Sequence, residues 1–338
     1  MRVAVLGGTG LLGQRSSAEL VARGHEVVSL SRRPMPADAP LLGVVEQRLL
    51  DVFSADETQL QRAFAGCDVL VYALGPDDRE EVEGDPAAYF QTRLVETTER
   101  VVRAACRVGV RKVVVLGSYF TAWDRMHPDR GFASRHPYVA ARLAQSERAI
   151  DAGQEFGASV CVLEIPYVFG TIRGEGRRWK KILLDRFRGP LVFFPTGGTS
   201  VVTSVQVGQA VAGAVERGAH GARYPLSDID LTWRELIAHV QEALGRRAPI
   251  IGVPGWVAEF AARRMGRSLK ARGLSSGIDP AWVIRDIMTQ HMYVDAVESR
   301  EVLRYRPGGV PQAIWAVVRE SYGITDHVEP GSSSSLRR

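Results

Sequence analysis

The sequence predicts an α/β protein built on a doubly wound parallel sheet, with a smaller and mostly helical C-terminal region beside it. Three observations predict this. Short apolar strands alternate with helical stretches through the first half, as a sheet covered on both faces requires. A glycine-rich turn joins the first strand to the first helix. After Pro166 the alternation becomes irregular and more helical.

The elements follow in order. Residues 2–6 (RVAVL) form a β-branched strand, GGTGLLG turns the chain, and helical periodicity runs from Leu12 to Arg23, where Gly24 ends it. HEVVSLS is the second strand, completing a βαβ unit. CDVLVYAL is a buried strand, Tyr89 to Val108 a helix, and RKVVVLGS the next strand. HPYVAARLAQSERAIDAG carries proline in its opening turn, where a missing N–H costs nothing, and ASVCVLEIP is another strand.

Beyond Pro166, an arginine-rich stretch leads to LVFFPTGG, and VVTSVQVGQAVAGAVERG resumes a strand and helix. Thr232-Trp233-Arg234-Glu235 is a capping box whose helix ends at Gly245. GWVAEFAARRMGRSLKARG is amphipathic and helical, and PQAIWAVVRESYG closes the fold. The low-complexity residues 326–338 are expected to be disordered.

Composition removes several classes of function. The 338 residues are 45% hydrophobic and 24% charged, with 34 glycines, as in folded globular chains. The formal net charge is +5, yet only Lys112, Lys180, Lys181 and Lys270 among 43 basic residues are lysines. The arginines are scattered among acids and form no block, so no nucleic-acid partner is expected. Cys67, Cys106 and Cys161 form neither a disulfide framework nor a metal-binding cluster. No apolar stretch approaches the ~20 residues that span a bilayer. A strand beginning at Arg2 leaves no room for a signal peptide, so a cytoplasmic protein is expected.

Gly7-x-x-Gly10-x-x-Gly13 lies between strand and helix, the context of a dinucleotide site. Glycine permits the tight turn and lets a pyrophosphate approach the backbone, while the helix N-terminus stabilises its charge. Thr9, Leu11 and Leu12 belong to the same turn. The second strand ends in Leu30-Ser31-Arg32-Arg33, about eighteen residues on. An acid at that point binds the adenosine 2′-hydroxyl of NAD. Two arginines suit a 2′-phosphate instead and favour NADP(H), with NAD as the alternative. Arg15 is a further candidate for that phosphate.

With GGTGLLG, LSRRP, Leu50-Asp51-Val52, CDVLVYALG, GVRKVVVLGS, HPYVAAR, PYVFG and VDAVESREVLRYRP in view, the chain resembles the extended short-chain dehydrogenases/reductases, or NAD-dependent epimerase/dehydratase type, over residues 1–323. The resemblance implies a Rossmann domain over residues 1–165, with 200–230 returning to it, and a substrate region formed by 166–199 and 231–325. It implies that Asp51 and Val52 flank the adenine, that Ala73, Leu74 and Gly75 line the cofactor cleft, and that Pro166, Tyr167 and Val168 lie against the nicotinamide.

It also implies a catalytic tyrosine, Tyr138. The family pattern is Tyr-x-x-x-Lys, but Arg142 stands in the lysine position. Four residues apart on a helix, the two share a face. A phenol ionises near pH 10, and a neighbouring cation is expected to lower that value and make a usable acid/base. Arginine supplies the charge and ribose donors, although it cannot release a proton as lysine can. Ser118 is the first candidate for the hydroxyl that binds the reacting oxygen, and Thr121 the second. Glu164, Gly208 and Gln209 depart from residues common in relatives, and these departures are read as structural. His127 and His136 are assigned no role.

Sugar-dehydratase patterns are absent. The expected reaction is therefore hydride transfer between NADP(H) and a carbonyl or alcohol of a small hydrophobic substrate. A nucleotide-sugar epimerase with tightly held NAD and a non-catalytic cofactor-binding scaffold are the rivals. Of Phe120, Trp123, Phe132, Trp179, Phe193, Phe194, Trp256, Phe260 and Trp282, most are expected in the core. Arg173, Arg177, Arg178, Lys180 and Lys181 form either an anion site or an exposed helix face. A homodimer through the Tyr138 helix and the one before it is expected from the resemblance.

Overall fold

The computed structural model describes residues 1–172, 180, 184–276 and 278–324. Arg173, Arg177, Arg178, Trp179, Lys181 and the 326–338 tail lie outside the described residues. Its central sheet has seven strands: β1 (Arg2–Leu6), β2 (Glu26–Ser31), β3 (Glu46–Leu49), β4 (Val69–Tyr72), β5 (Lys112–Ser118), β6 (Ser159–Ile165) and β7 (Arg223–Pro225). They lie in the order β3-β2-β1-β4-β5-β6-β7, every neighbouring pair parallel. The order reverses between β1 and β4. At such a switch point the loops leaving the carboxyl ends diverge and open a crevice.

The principal helices are α1 (Leu11–Ala22), α2 (Glu57–Phe64), α3 (Thr97–Arg107), α4 (Phe120–Met126), α5 (Pro137–Gln154), α6 (Ser204–Arg217), α7 (Trp233–Ala243), α8 (Gly255–Ala271) and α9 (Val310–Tyr322). One sheet face is covered by α2, α3 and α5 through Leu60, Phe64, Val101, Ala105 and Ala149. The other is covered by α1 and α6 through Leu20, Val207 and Val211. These two helices cross so closely that a Cβ on Gly208 would stand 2.6 Å from the Arg15 carbonyl oxygen. That contact explains glycine at position 208.

Beside this Rossmann sheet, Gly198–Thr203 forms the middle of a second one. It pairs antiparallel with Ile229–Thr232 and parallel with His291–Met292 and Tyr167–Phe169. With α7 and α9 it encloses a separate core around Phe169, Trp233, Ile237 and Ile314. The smaller region thus has a sheet as well as helices. Within 200–230, α6 and β7 return to the central sheet, while Gly198–Thr203 stays with the second. The Thr232 capping box forms, its hydroxyl and Glu235 exchanging bonds with the backbone. The helix expected from Tyr89 to Val108 is interrupted by a π-helical turn, Gln91–Glu96, ahead of α3.

Candidate active site

The glycine turn is built from two different demands. Gly7 has φ +86°, and a Cβ there would lie 2.4 Å from the Ala73 carbonyl oxygen; one on Gly13 would lie 2.2 Å from the Gly7 oxygen. These glycines serve the protein's own packing. Gly10 does not, since its Cβ would meet only the Gly7 oxygen, at 3.4 Å. Gly10 caps α1 without a side-chain hydrogen bond, and no acid occupies the first turn. Open N–H groups at a helix start attract an anion, so the turn fits a pyrophosphate. Leu11 and Leu12, half-buried, open α1, and the Thr9 carbonyl accepts from Gln14 Nε2 at 3.0 Å.

Gly7 and Gly8 donate to the Leu30 carbonyl at 2.9 and 3.1 Å, which binds the turn to the end of β2. Arg32 and Arg33 follow there, exposed. The Arg15 guanidinium donates to the Thr171 carbonyl at 2.8 Å, fastening α1 to the loop after Phe169, while its Nε has no hydrogen-bond partner among the described residues. Asp51 and Val52 follow β3, the first exposed and the second buried. Ala73, Leu74 and Gly75 follow β4, with the Ala73 N–H on the Leu6 carbonyl at 2.9 Å, and Pro166, Tyr167 and Val168 follow β6. All of these residues therefore lie along the carboxyl edge of one sheet.

Tyr138 and Arg142 sit one turn apart on α5, 5% and 8% exposed. Arg142 Nε donates to the Tyr138 hydroxyl at 3.0 Å. Its other nitrogens donate to Gln145 Oε1 at 2.9 Å and to the Leu116 and Pro76 carbonyls at 3.3 Å. Gln145 in turn donates to Thr98 at 2.9 Å. The Tyr138 ring stands edge-on to Phe90 and Phe120, centroids 5.4 and 6.3 Å away. The expected lowering of the phenol pKa is reversed. Burial pushes it above the ordinary value, Arg142 works against that rise, and Asp78 and Asp77 add to it.

Ser118 ends β5, and its hydroxyl only accepts from the Phe120 N–H at 3.4 Å. That weak contact leaves the group able to turn toward a ligand. Thr121 is committed elsewhere: its hydroxyl lies 2.7 Å from the Ser118 carbonyl and 2.5 Å from Glu164. Glu164 is fully buried and held by both terminal nitrogens of Arg125. This pairing of a buried carboxylate with an arginine that reaches the surface is the structural reason for an acid at position 164. His127 packs at a tilt against Trp123, centroids 4.1 Å apart, and buried His136 meets Asp286 at 3.0 Å.

Sequence reasoning missed the loop Asp77-Asp78-Arg79 after β4. Arg79 pairs with Asp77 at 2.6 Å and lies 3.6 Å from Asp78. Burial and the neighbouring Asp77 charge hold the Asp78 carboxyl above its usual range, and in its ionised form it would raise the phenols of Tyr119, Tyr138 and Tyr167 together. Its signal was a charged triplet directly after a buried strand. Gln145 was equally missed, and its signal was a polar residue three positions after Arg142, on the same face of the helix.

Comparison with known proteins agrees with this architecture. Over 290 residues, 80% of either chain, the sequence is 28% identical to the 4-hydroxy-2-methyl-3-oxo-4-farnesyl-3,4-dihydroquinoline-1-oxide ketoreductase of Stigmatella aurantiaca. The fold matches the crystal structure of gox2253 with a TM-score of 0.75 at 18% identity, covering 95% of this chain and 98% of that one. It matches MoeE5, solved with UDP-glucuronic acid and NAD, with a TM-score of 0.66 at 17% identity, covering 96% and 99%. Residues 3–188, more than half of the 338, match the NAD dependent epimerase/dehydratase family. The chain belongs to that family, and it is an NAD(P)-dependent enzyme of the oxidoreductase/epimerase type.

Proposed function

We propose that this enzyme is an NADP(H)-dependent reductase acting on the carbonyl group of a small hydrophobic substrate. The observation that carries the reading is the Tyr138 hydroxyl, held by Arg142 at 3.0 Å within a wall of Phe90 and Phe120. A phenol kept protonated by burial is suited to giving a proton to a carbonyl oxygen as that oxygen becomes an alkoxide. Ser118 is assigned the hydrogen bond that orients the same oxygen. Arg142 fixes the phenol and supplies positive charge when the phenol gives up its proton. The nicotinamide cofactor, when bound, supplies the hydride.

Gly10 and the start of α1 are assigned the pyrophosphate, Asp51 and Val52 the adenine side, and Ala73 to Gly75 with Pro166 to Val168 the rest of the cleft. Arg32 and Arg33 are assigned the 2′-phosphate because, exposed at the end of β2, their guanidinium groups have no ion-pair partner among the described residues. The lipophilic carbonyl named for the Stigmatella relative is the chemistry such an aromatic wall accommodates. We place the enzyme in the cytoplasm as a homodimer paired through α3 and α5.

Titration of nucleotide-stripped protein with NADPH and NADH, followed by a screen of hydrophobic ketones, tests the reading. Tight NADPH binding and ketone-dependent oxidation support it. Recovery of bound NAD with no ketone turnover would put a nucleotide-sugar epimerase in its place.

A further inference from the structure

Of the aromatic residues expected in the core, Phe194 and Trp282 are half-buried, and the other described ones divide into two groups. Phe120, Trp123 and Phe132 are buried around Tyr138. Trp256, Phe260 and Phe193 instead stand 75%, 62% and 61% exposed. Phe193 pairs in register with Ile251, itself exposed, on the short ladder Val192–Phe194 with Ile250–Gly252. Only four residues separate Ile251 from Trp256, so the exposed edge of the ladder and the exposed start of the next helix adjoin along the chain on the protein surface.

Helix α8 begins on that surface. Its outward side carries Trp256, Val257 and Phe260 in the first two turns, then Arg263, Arg264 and Arg267. Its inner side is small: Ala262 and Gly266 are buried, and a Cβ on Gly266 would reach Pro280. Glu259 is held by Arg263 at 2.5 Å, whereas Arg264 and Arg267 have no ion-pair partner among the described residues. An exposed patch of this kind, with tryptophan and phenylalanine beside unneutralised arginine, has the composition of an interfacial helix.

We infer that α8, with the Phe193–Ile251 edge, docks this enzyme onto the surface of a bilayer containing anionic phospholipids. The rings enter the headgroup and acyl boundary, while Arg264 and Arg267 bind headgroup phosphates. Charge decides for this occupant over a second copy of the chain. A second copy offers those arginines only the same aromatic and cationic surface, its single acid on this face already engaged by Arg263. An anionic lipid surface supplies the missing counter-charge to a chain of net charge +5. The inference stands apart from the proposed reduction, because docking is read without turnover.

The full-length chain is sedimented with vesicles of equal parts phosphatidylglycerol and phosphatidylcholine, and with phosphatidylcholine alone. The expected result is salt-sensitive binding to the anionic vesicles. Trp256→Ser combined with Phe260→Ser weakens it by about tenfold or more, and Arg264→Gln or Arg267→Gln by about fivefold each. All four positions are exposed, so thermal melts stay near that of the unmodified chain; should the aromatic pair fail to fold, the arginine variants carry the test. Absence of binding to anionic vesicles overturns the inference, as does binding that these substitutions leave unchanged. A dimer that the aromatic substitutions convert to monomer also overturns it, and makes the face an interface between copies.

Discussion

Arg142 Nε lies 3.0 Å from the Tyr138 hydroxyl, while the same guanidinium donates to Gln145 at 2.9 Å and to two main-chain carbonyls. A lysine in that position has one ammonium and cannot satisfy these directions together. Arg142→Lys is therefore expected to retain part of the turnover, because charge remains, and to lose about 1–3 kcal/mol of stability from unpaired buried groups. Thermal unfolding and kcat measured on one preparation check this. An Arg142→Lys enzyme with unchanged melting would remove the argument that arginine is required by its partners.

Tyr138→Phe deletes one oxygen and leaves the ring against Phe90 and Phe120. If the phenol is the proton donor, kcat falls by about 10²- to 10⁴-fold, with the dissociation constant for NADPH little changed. Equal turnover by the two enzymes would end the assignment.

The glycines make a sharper test of the cofactor turn. A Cβ at Gly13 overlaps the Gly7 backbone at 2.2 Å, so Gly13→Ala is expected to cost about 3 kcal/mol or more. At Gly10 the contact is 3.4 Å, and Gly10→Ala is expected to fold with a melt near that of the unmodified chain while losing dinucleotide affinity. Calorimetric titration and melting curves of both variants separate the roles. Full affinity in Gly10→Ala would refute the pyrophosphate placement.

Arg32→Ala with Arg33→Ala tests cofactor choice. Loss of charge-assisted bonds to a 2′-phosphate weakens NADPH by about tenfold to a hundredfold, and NADH, lacking that phosphate, binds as before. Parallel losses for both nucleotides would assign the arginines to something other than the phosphate.

Much of the fold was legible because local signals agreed with the tertiary demand. The GGTGLLG turn, the doubly buried strands and the Thr232–Glu235 box are each dictated within a few residues. The carboxyl-edge residues around the cleft were legible through family resemblance. What was hidden depends on contacts distant in sequence. Thr121 reads as a free hydroxyl until Glu164, 43 residues on, engages it. The bond from Arg15 to the Thr171 carbonyl, 156 residues away, is equally invisible in the local sequence. The rise in the Tyr138 pKa comes from burial and from Asp78, neither of which follows from the Tyr-x-x-x-Arg spacing. Aromatic content likewise could not place Trp256 and Phe260 outside, because a helix shows two faces and only the packed partner decides which is inner.

His136 precedes α5 and is fully buried, its Nε2 3.0 Å from Asp286 and its Nδ1 without a hydrogen-bond partner among the described residues. Burial pushes the imidazole below its usual value; Asp286 and the more distant Asp279 act against this, and Arg135 adds to the lowering. In the unfolded chain the ring takes a proton near pH 6.5. Above that pH both states are neutral and His136 contributes nothing to the pH dependence. Below it the unfolded state binds more protons, so stability falls as pH falls, until the lower folded pKa is reached. The slope has a ceiling of about 1.4 kcal/mol per pH unit. His136→Gln keeps a donor for Asp286 but cannot titrate. Unfolding free energies measured from pH 7.5 to 5 are expected to fall more steeply for the unmodified protein than for this variant, with the curves parallel above pH 7. Parallel curves throughout would show that His136 takes up its proton over the same pH range in both states, and the link between Asp286 and the start of α5 would then contribute nothing to the acid dependence.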